Sequence, residues 1–349
     1  MRSLQGLDRG PRAQGIHALS APLDLTGHHV FITGGTGFIG RTLLDYLAES
    51  VAVHGPGVGV CVLSRDPARF SADFPQYVGL PWLRLVKGDV CTLAVDPQGA
   101  GIRCTDFIHA AADAHASAEP LQWLDQIVVG TRNALDFALV AGARRFLNLS
   151  SGAVYGAQPN HIDALSEGDC GAPPTESISS VYGQSKRMAE QLCTVYRHLH
   201  GMATVNARCF AIVSEHVPLD GPYAIGNFIR DALRAEEITV LGSGKAVRTY
   251  LYGRDVAHWL FTLLLKGAAG ESYNVGSDVP VTIAELASRV AQAIAPGKRM
   301  VCASAEDDGE RFRYVPNVAK ARGLGLEVET NLDEAIIRCA AHFRRSLEP

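Results

Sequence analysis

The stretch that most constrains this chain is Val30-Phe-Ile-Thr-Gly-Gly-Thr-Gly-Phe-Ile-Gly40. It is an apolar run that breaks into glycines at 34, 37 and 40 and leads into residues 41–50, where Leu43, Leu44 and Leu47 fall at helical spacing. Strand, glycine turn and helix in that order open a dinucleotide-binding sheet. Glycine lets the backbone come close to a pyrophosphate, and the helix N-terminus offers unpaired N–H groups and a positive dipole end. With 35 glycines in the chain, such a turn alone carries little weight; the strand before it and the helix after it carry the reading.

The alternation continues downstream. Strands are predicted at 30–33, 58–63, 83–87, 105–109, 145–150 and 203–209, and helices at 38–49, 121–141 and 181–200. That order predicts an α/β chain with a Rossmann-type, doubly wound parallel sheet. Beyond residue 210, Pro218, Gly221, Pro222, Gly226, Gly242 and Gly244 shorten the elements; helices are expected at 224–236 and 283–294, extended segments at 272–275 and 279–282. The expected organisation is a flexible extension at 1–24, a dinucleotide-binding domain at 25–210, and a smaller mixed, mainly substrate-binding α/β domain at 211–349, interleaved with the first.

Composition narrows the partners. A net charge of −4 without charge clusters argues against nucleic acid or a polybasic membrane contact. No apolar run reaches the roughly eighteen residues of a membrane span, and residues 1–24 lack the apolar segment of a secretory signal. A cytoplasmic protein with small-molecule partners is expected. The eight cysteines (61, 91, 104, 170, 193, 209, 302, 339) form no C-x-x-C pair and mostly sit in apolar runs, so reduced, buried thiols and no metal site are expected.

The second chemical signal is Tyr182-Gly-Gln-Ser-Lys186. Four residues apart on a helix, Tyr182 and Lys186 share a face; Ser179 or Ser180 could cap that helix. A neighbouring ammonium favours phenolate over phenol, so a lowered Tyr182 pKa is expected. Upstream, residues 146–156 read as a strand that ends in two hydroxyls, which sets Ser151 at the carboxyl edge of the sheet, as a ligand-facing hydroxyl or a turn serine.

With these motifs together the chain resembles an extended short-chain dehydrogenase/reductase of the group acting on nucleotide sugars. The likeness spans roughly 26–345 and rests on T-G-G-T-G-F-I-G at 33–40, G-D-V at 88–90, H-A-A-A at 109–112, G-T-R-N-A-L at 130–135, S-S-G-A-V-Y-G at 150–156, Y-G-Q-S-K at 182–186 and Y-N-V-G-S at 273–277. It implies that Tyr182 is the acid/base, that Lys186 positions the nicotinamide ribose and that Ser151 hydrogen-bonds the reacting sugar oxygen. It also implies a cofactor site of Gly34, Gly37, Phe38, Ile39, Gly40, Asp89, Val90, His109, Ala110 and Ala111, with Arg248 and Asn227 on the substrate's phosphates and a homodimer as the assembly.

Departures from the family pattern select the reaction. Dehydratases of the group carry an Asp-Glu pair after the catalytic hydroxyl, and sugar-acid decarboxylases keep the glutamate; here Gly152 and Ala153 stand there. Ile127 and Ala211 replace two customary asparagines. At the end of the second strand Ser64-Arg65 replaces the Asp of NAD-specific members, which favours NADP(H), since an arginine can bind the 2′-phosphate that a carboxylate would repel. Asp66 is the counter-candidate, as a carboxylate able to reach the ribose. The resulting expectation is an NADP(H)-preferring nucleotide-sugar ketoreductase, with an NAD-dependent epimerase as the alternative and a non-catalytic dinucleotide-binding module third.

Overall fold

Seven strands pair side by side, all in parallel: β1 His29–Thr33, β2 Gly59–Ser64, β3 Leu83–Lys87, β4 Asp106–His109, β5 Arg145–Ser151, β6 Ala203–Cys209 and β7 Ser272–Val275. Their order is β7-β6-β5-β4-β1-β2-β3. The computed structural model describes residues 19–93, 96–97, 99–112, 119–169, 171–304 and 313–345. Residues 1–18 of the expected extension and Cys170 lie outside the described residues.

Helices cover both faces, which is why β1, β4 and β5 are almost continuously apolar rather than alternating. On one face α1 (Phe38–His54) and a helix at Gly253–Lys266 bury Leu43, Leu47, Trp259 and Leu263 against Ile32 and Val205. On the other, a helix at Gly130–Ala141 and one at Val181–His200 enclose Phe31, Phe107, Phe137 and Phe146. There the rings of Phe31 and Phe107 stack at 5.1 Å and those of Phe107 and Phe146 at 5.0 Å.

The six strands expected before residue 210 are all present. Three corrections concern other elements. The segment 272–275 is extended as expected, but it is the seventh strand of the main sheet, with Tyr273 and Val275 buried against β6. The single helix expected at 121–141 is a helical turn Pro120–Trp123, a π-helix Leu124–Val129 and then Gly130–Ala141. Residues 20–24 are tied down: Ser50 donates to the Leu23 carbonyl at 2.7 Å and Arg254 to the Ser20 carbonyl at 2.8 Å.

The remaining C-terminal elements build a second core of Phe228, Ile229, Leu286, Val290 and Ile336 between helices Ala224–Arg234, Ile283–Ile294 and Leu332–Arg345. Thr282 and Glu285 start the middle helix with a reciprocal capping box. Two short ladders stand beside it, Glu237–Val240 with Arg299–Cys302 and Val247–Arg248 with Val281–Thr282. The seven described cysteines are unpaired; four are buried, while Cys61 and Cys91 are half-buried and Cys302 is exposed. No helix of the described residues is long and apolar enough to cross a membrane.

Candidate active site

A cleft of about 770 Å³ opens over the carboxyl ends of the strands, where the strand order reverses between β4 and β1. Its floor is the glycine turn. Gly34 has φ +71°, and a Cβ there would stand 2.5 Å from the Ala110 carbonyl carbon; one on Gly40 would stand 2.3 Å from the Gly34 oxygen. Glycine alone therefore lets β1, β4 and α1 meet this closely. Gly37 begins α1 without any side-chain cap, and Gly37, Phe38, Ile39 and Gly40 all line the cleft. Uncapped first-turn amides at the wall of such a cleft fit a dinucleotide's pyrophosphate.

Deeper in, β5 and the Tyr182 helix bring three side chains together. Ser151 ends β5 and hydrogen-bonds the Tyr182 phenol. Lys186 is buried, donates from Nζ to the Leu149 carbonyl at 2.7 Å, and lies 5.9 Å from the Tyr182 ring centroid. Trp123 packs edge-on against the same ring at 5.7 Å. Neither Ser179 nor Ser180 caps the helix through its side chain; Ser179 instead pairs with Ser177.

The charges differ from expectation. Burial raises the Tyr182 pKa above its ordinary value and outweighs the lowering by the Ser151 hydrogen bond, so the phenol stays protonated at neutral pH. Burial also lowers Lys186 to about 8, against the opposing pull of Cys209 and Glu190. The expected depression of Tyr182 by an ammonium is not found: desolvation raises the pKa, and the lowering comes from Ser151.

Most other candidate residues meet at the same cleft. Arg65, Asp89, Val90, Ala110, Ala111, Ala211 and Arg248 line it. Three do not. Ser64 is buried behind the wall. His109 is 3% exposed and joins Thr33 Oγ1 at 2.8 Å to Thr131 Oγ1 at 3.1 Å; burial lowers its pKa to about 3, so it is a neutral link between β1, β4 and the Gly130–Ala141 helix. Asn227 donates to the Gly221 carbonyl at 3.0 Å, fastening the loop ahead of its helix. Ile127 is packed in the core at 1% exposure, not at the cleft.

Sequence reasoning missed Thr36, Arg41, Cys209, Tyr223, Tyr250 and Tyr314, all of which line the cleft. Tyr314 matters most. A Cβ on Gly152 would stand 2.4 Å from the Tyr314 hydroxyl and 2.7 Å from Phe210 Cζ, so these two rings, tilted against each other with centroids 4.4 Å apart, fill the space a larger residue 152 would need. No local signal marks Tyr314, which arrives from a distant segment. Among the described residues no cluster of ligating side chains could hold a metal ion.

Comparison with known proteins adds the family. The model of the NAD dependent epimerase/dehydratase family matches residues 30–276. The chain belongs to that family. It is an enzyme of the extended short-chain dehydrogenase/reductase type. This family member is 28% identical over 322 residues to UDP-glucuronic acid decarboxylase 6 of Arabidopsis thaliana, covering 91% of this chain and 89% of that protein. The fold matches the UDP-glucose 4-epimerase of Thermotoga maritima with a TM-score of 0.79 at 22% identity, over 92% of this chain and 100% of the other. MoeE5 in complex with UDP-glucose and NAD matches with a TM-score of 0.75 at 25% identity, over 92% and 100%.

Proposed function

We propose that this enzyme is an NADP(H)-preferring nucleotide-sugar ketoreductase. The observation that carries the reading is the wall after Ser151: Gly152 and Ala153 offer no second carboxylate, and a side chain at 152 would have to displace the ring ends of Tyr314 and Phe210. Elimination of water needs a second acid and base; reduction of a carbonyl needs one proton donor. Tyr182, held as a neutral phenol by burial and bonded to Ser151, is that donor.

A nicotinamide dinucleotide, when bound along the cleft, would supply the hydride. Gly37 to Gly40 would hold its pyrophosphate, Asp89 and Val90 its adenosine, and Lys186 and Tyr182 its nicotinamide end. Ser151 and Tyr182 together hold the keto oxygen; as that oxygen gains negative charge, Tyr182 gives up its proton and the sugar leaves as the alcohol. Arg248 reaches the substrate's diphosphate from the smaller core. The NADP(H) preference is supported by Arg65 at the cleft, while Asp66 is committed to capping its own helix, accepting from the Arg69 amide at 3.0 Å.

The competing reading is an NAD-dependent nucleotide-sugar epimerase, favoured by the likeness to MoeE5 solved with UDP-glucose and NAD. A panel of nucleotide 4-keto sugars, incubated with NADPH and followed by nicotinamide absorbance, tests the proposal. Cofactor oxidation with at least one member is expected. Interconversion of nucleotide hexoses with no such oxidation would transfer the assignment to the epimerase.

A further inference from the structure

Arg41 is a charge at the cleft that the reaction above does not use. It follows Gly40 in the first turns of α1 and lines the cleft. Its guanidinium lies 4.3 Å from the Phe74 ring centroid. Phe74 and Tyr77 belong to the segment that runs on from Ser64-Arg65. The guanidinium therefore stands on the β2 side of α1, the side on which Arg65 also lines the cleft.

No described carboxylate forms an ion pair with Arg41. Asp45, one helical turn further along α1, is already engaged: its carboxylate accepts from the Tyr77 hydroxyl at 2.6 Å and joins His216 Nε2 at 2.6 Å. Arg41 Nη2 donates to the His216 carbonyl at 3.4 Å, a long contact, and Nε is buried without any hydrogen-bond partner. A guanidinium pinned on an aromatic ring, with an unsatisfied N–H, no ion pair and only the already engaged Asp45 carboxylate acting on it, is preorganised for an oxyanion. Burial here disfavours the charged form, and an anion would offset that cost.

We propose that Arg41 and Arg65 form a two-arginine clamp for the 2′-phosphate of NADP(H), with Arg41 as a specificity-determining residue for the cofactor. The pyrophosphate is served by the first-turn amides, which leaves the phosphate on the adenosine ribose as the anion on the β2 side of α1. This inference rests on the NADP(H) reading of the proposed function.

Equilibrium binding to the full chain by calorimetry tests it, with NADPH, NADH and adenosine 2′,5′-bisphosphate as probes. Arg41→Gln is expected to weaken NADPH and the bisphosphate by roughly ten- to a hundredfold while NADH changes by less than about twofold. Should that variant fail to fold, Arg41→Lys decides. It keeps the charge and loses the fork, so NADPH should weaken by roughly three- to tenfold with NADH unchanged. Equal weakening of NADPH and NADH, or an unchanged ratio, overturns the inference. The two failures separate cleanly: a wild-type protein that binds NADH as tightly as NADPH defeats the NADP(H) reading itself. A wild type that prefers NADPH beside an Arg41→Gln that keeps the preference defeats only the role of Arg41.

Discussion

At Tyr182 and Lys186 the same physical cause, burial, moves two pKa values in opposite directions: it keeps the phenol neutral and makes the ammonium easier to discharge. Tyr182→Phe is expected to retain cofactor binding and lose roughly 10²–10⁴ in turnover; near-normal turnover would remove it from the chemistry. Lys186 carries a sign for stability. Its folded pKa of about 8 lies below the ordinary 10.5, so between those values the unfolded chain binds more protons, and stability rises with pH across that window. Urea titrations from pH 7 to 10.5 should show the rise, and Lys186→Met should flatten it. Gly152→Asp is expected to cost about 1–3 kcal/mol through overpacking against Tyr314 and Phe210, and to yield no 4-keto-6-deoxy product. Ser151, Tyr182 and Lys186 were legible because their relation is local, set by one strand end and one helical turn. Tyr314 was not, because tertiary folding carries it to Gly152 from far along the chain. Nor was the Tyr182 shift, since the sequence names its neighbour Lys186 but not the depth of the site.

The element that organises the site is the Val181–His200 helix, which presents Tyr182, Lys186 and Glu190 along one side. Glu190 takes a bidentate pair from Arg208 on β6, at 3.0 and 2.7 Å, and a hydrogen bond from Ser150 on β5 at 2.6 Å. Arg208 also donates to the Tyr155 hydroxyl at 2.9 Å, which in turn donates to Asn274 on β7 at 2.8 Å. The helix is thereby fixed to three strands by one polar chain. Glu190→Ala leaves the Arg208 charge half-stranded and is expected to cost about 3–5 kcal/mol, read from chemical denaturation; a loss under 1 kcal/mol would contradict a mechanical role. Strands could be read from sequence to within a residue or two because buried parallel strands are short apolar runs closed by turn residues. The π-helix at Leu124–Val129 could not, because nothing in Leu-Asp-Gln-Ile-Val-Val marks a widened turn; it sets Ile127 in the core and Gln126 at the cleft.

On the scale of the whole molecule, the chain does not divide at residue 210. β7 and the Gly253–Lys266 helix return to the main sheet, so the cleft is lined from both cores, with the glycine turn from the larger and Arg248 from the smaller. Which elements return was not legible in the sequence, since a run such as Trp259-Leu-Phe-Thr-Leu-Leu-Leu265 is apolar on every side and carries no periodicity to say which core it joins. The Val181–His200 helix also shows solvent an apolar stripe: Met188, Val195 and Leu199, at spacings of seven and four, are 49%, 39% and 65% exposed. Neighbouring Leu121 and Ile178 are 73% and 70% exposed. A homodimer paired through this face is expected, and Leu199→Glu should weaken it; light scattering that reports a monomer at micromolar concentration would refute it. Keto reduction with an exchangeable cofactor is tested by following the transferred hydrogen itself. NADPH carrying deuterium at the transferable C4 position should, with a nucleotide 4-keto sugar, give a product containing one deuterium for each NADPH oxidised, by mass spectrometry. A nucleotide sugar that changes configuration while the added NADPH stays intact and the product stays unlabelled would rule out keto reduction and make the enzyme an epimerase.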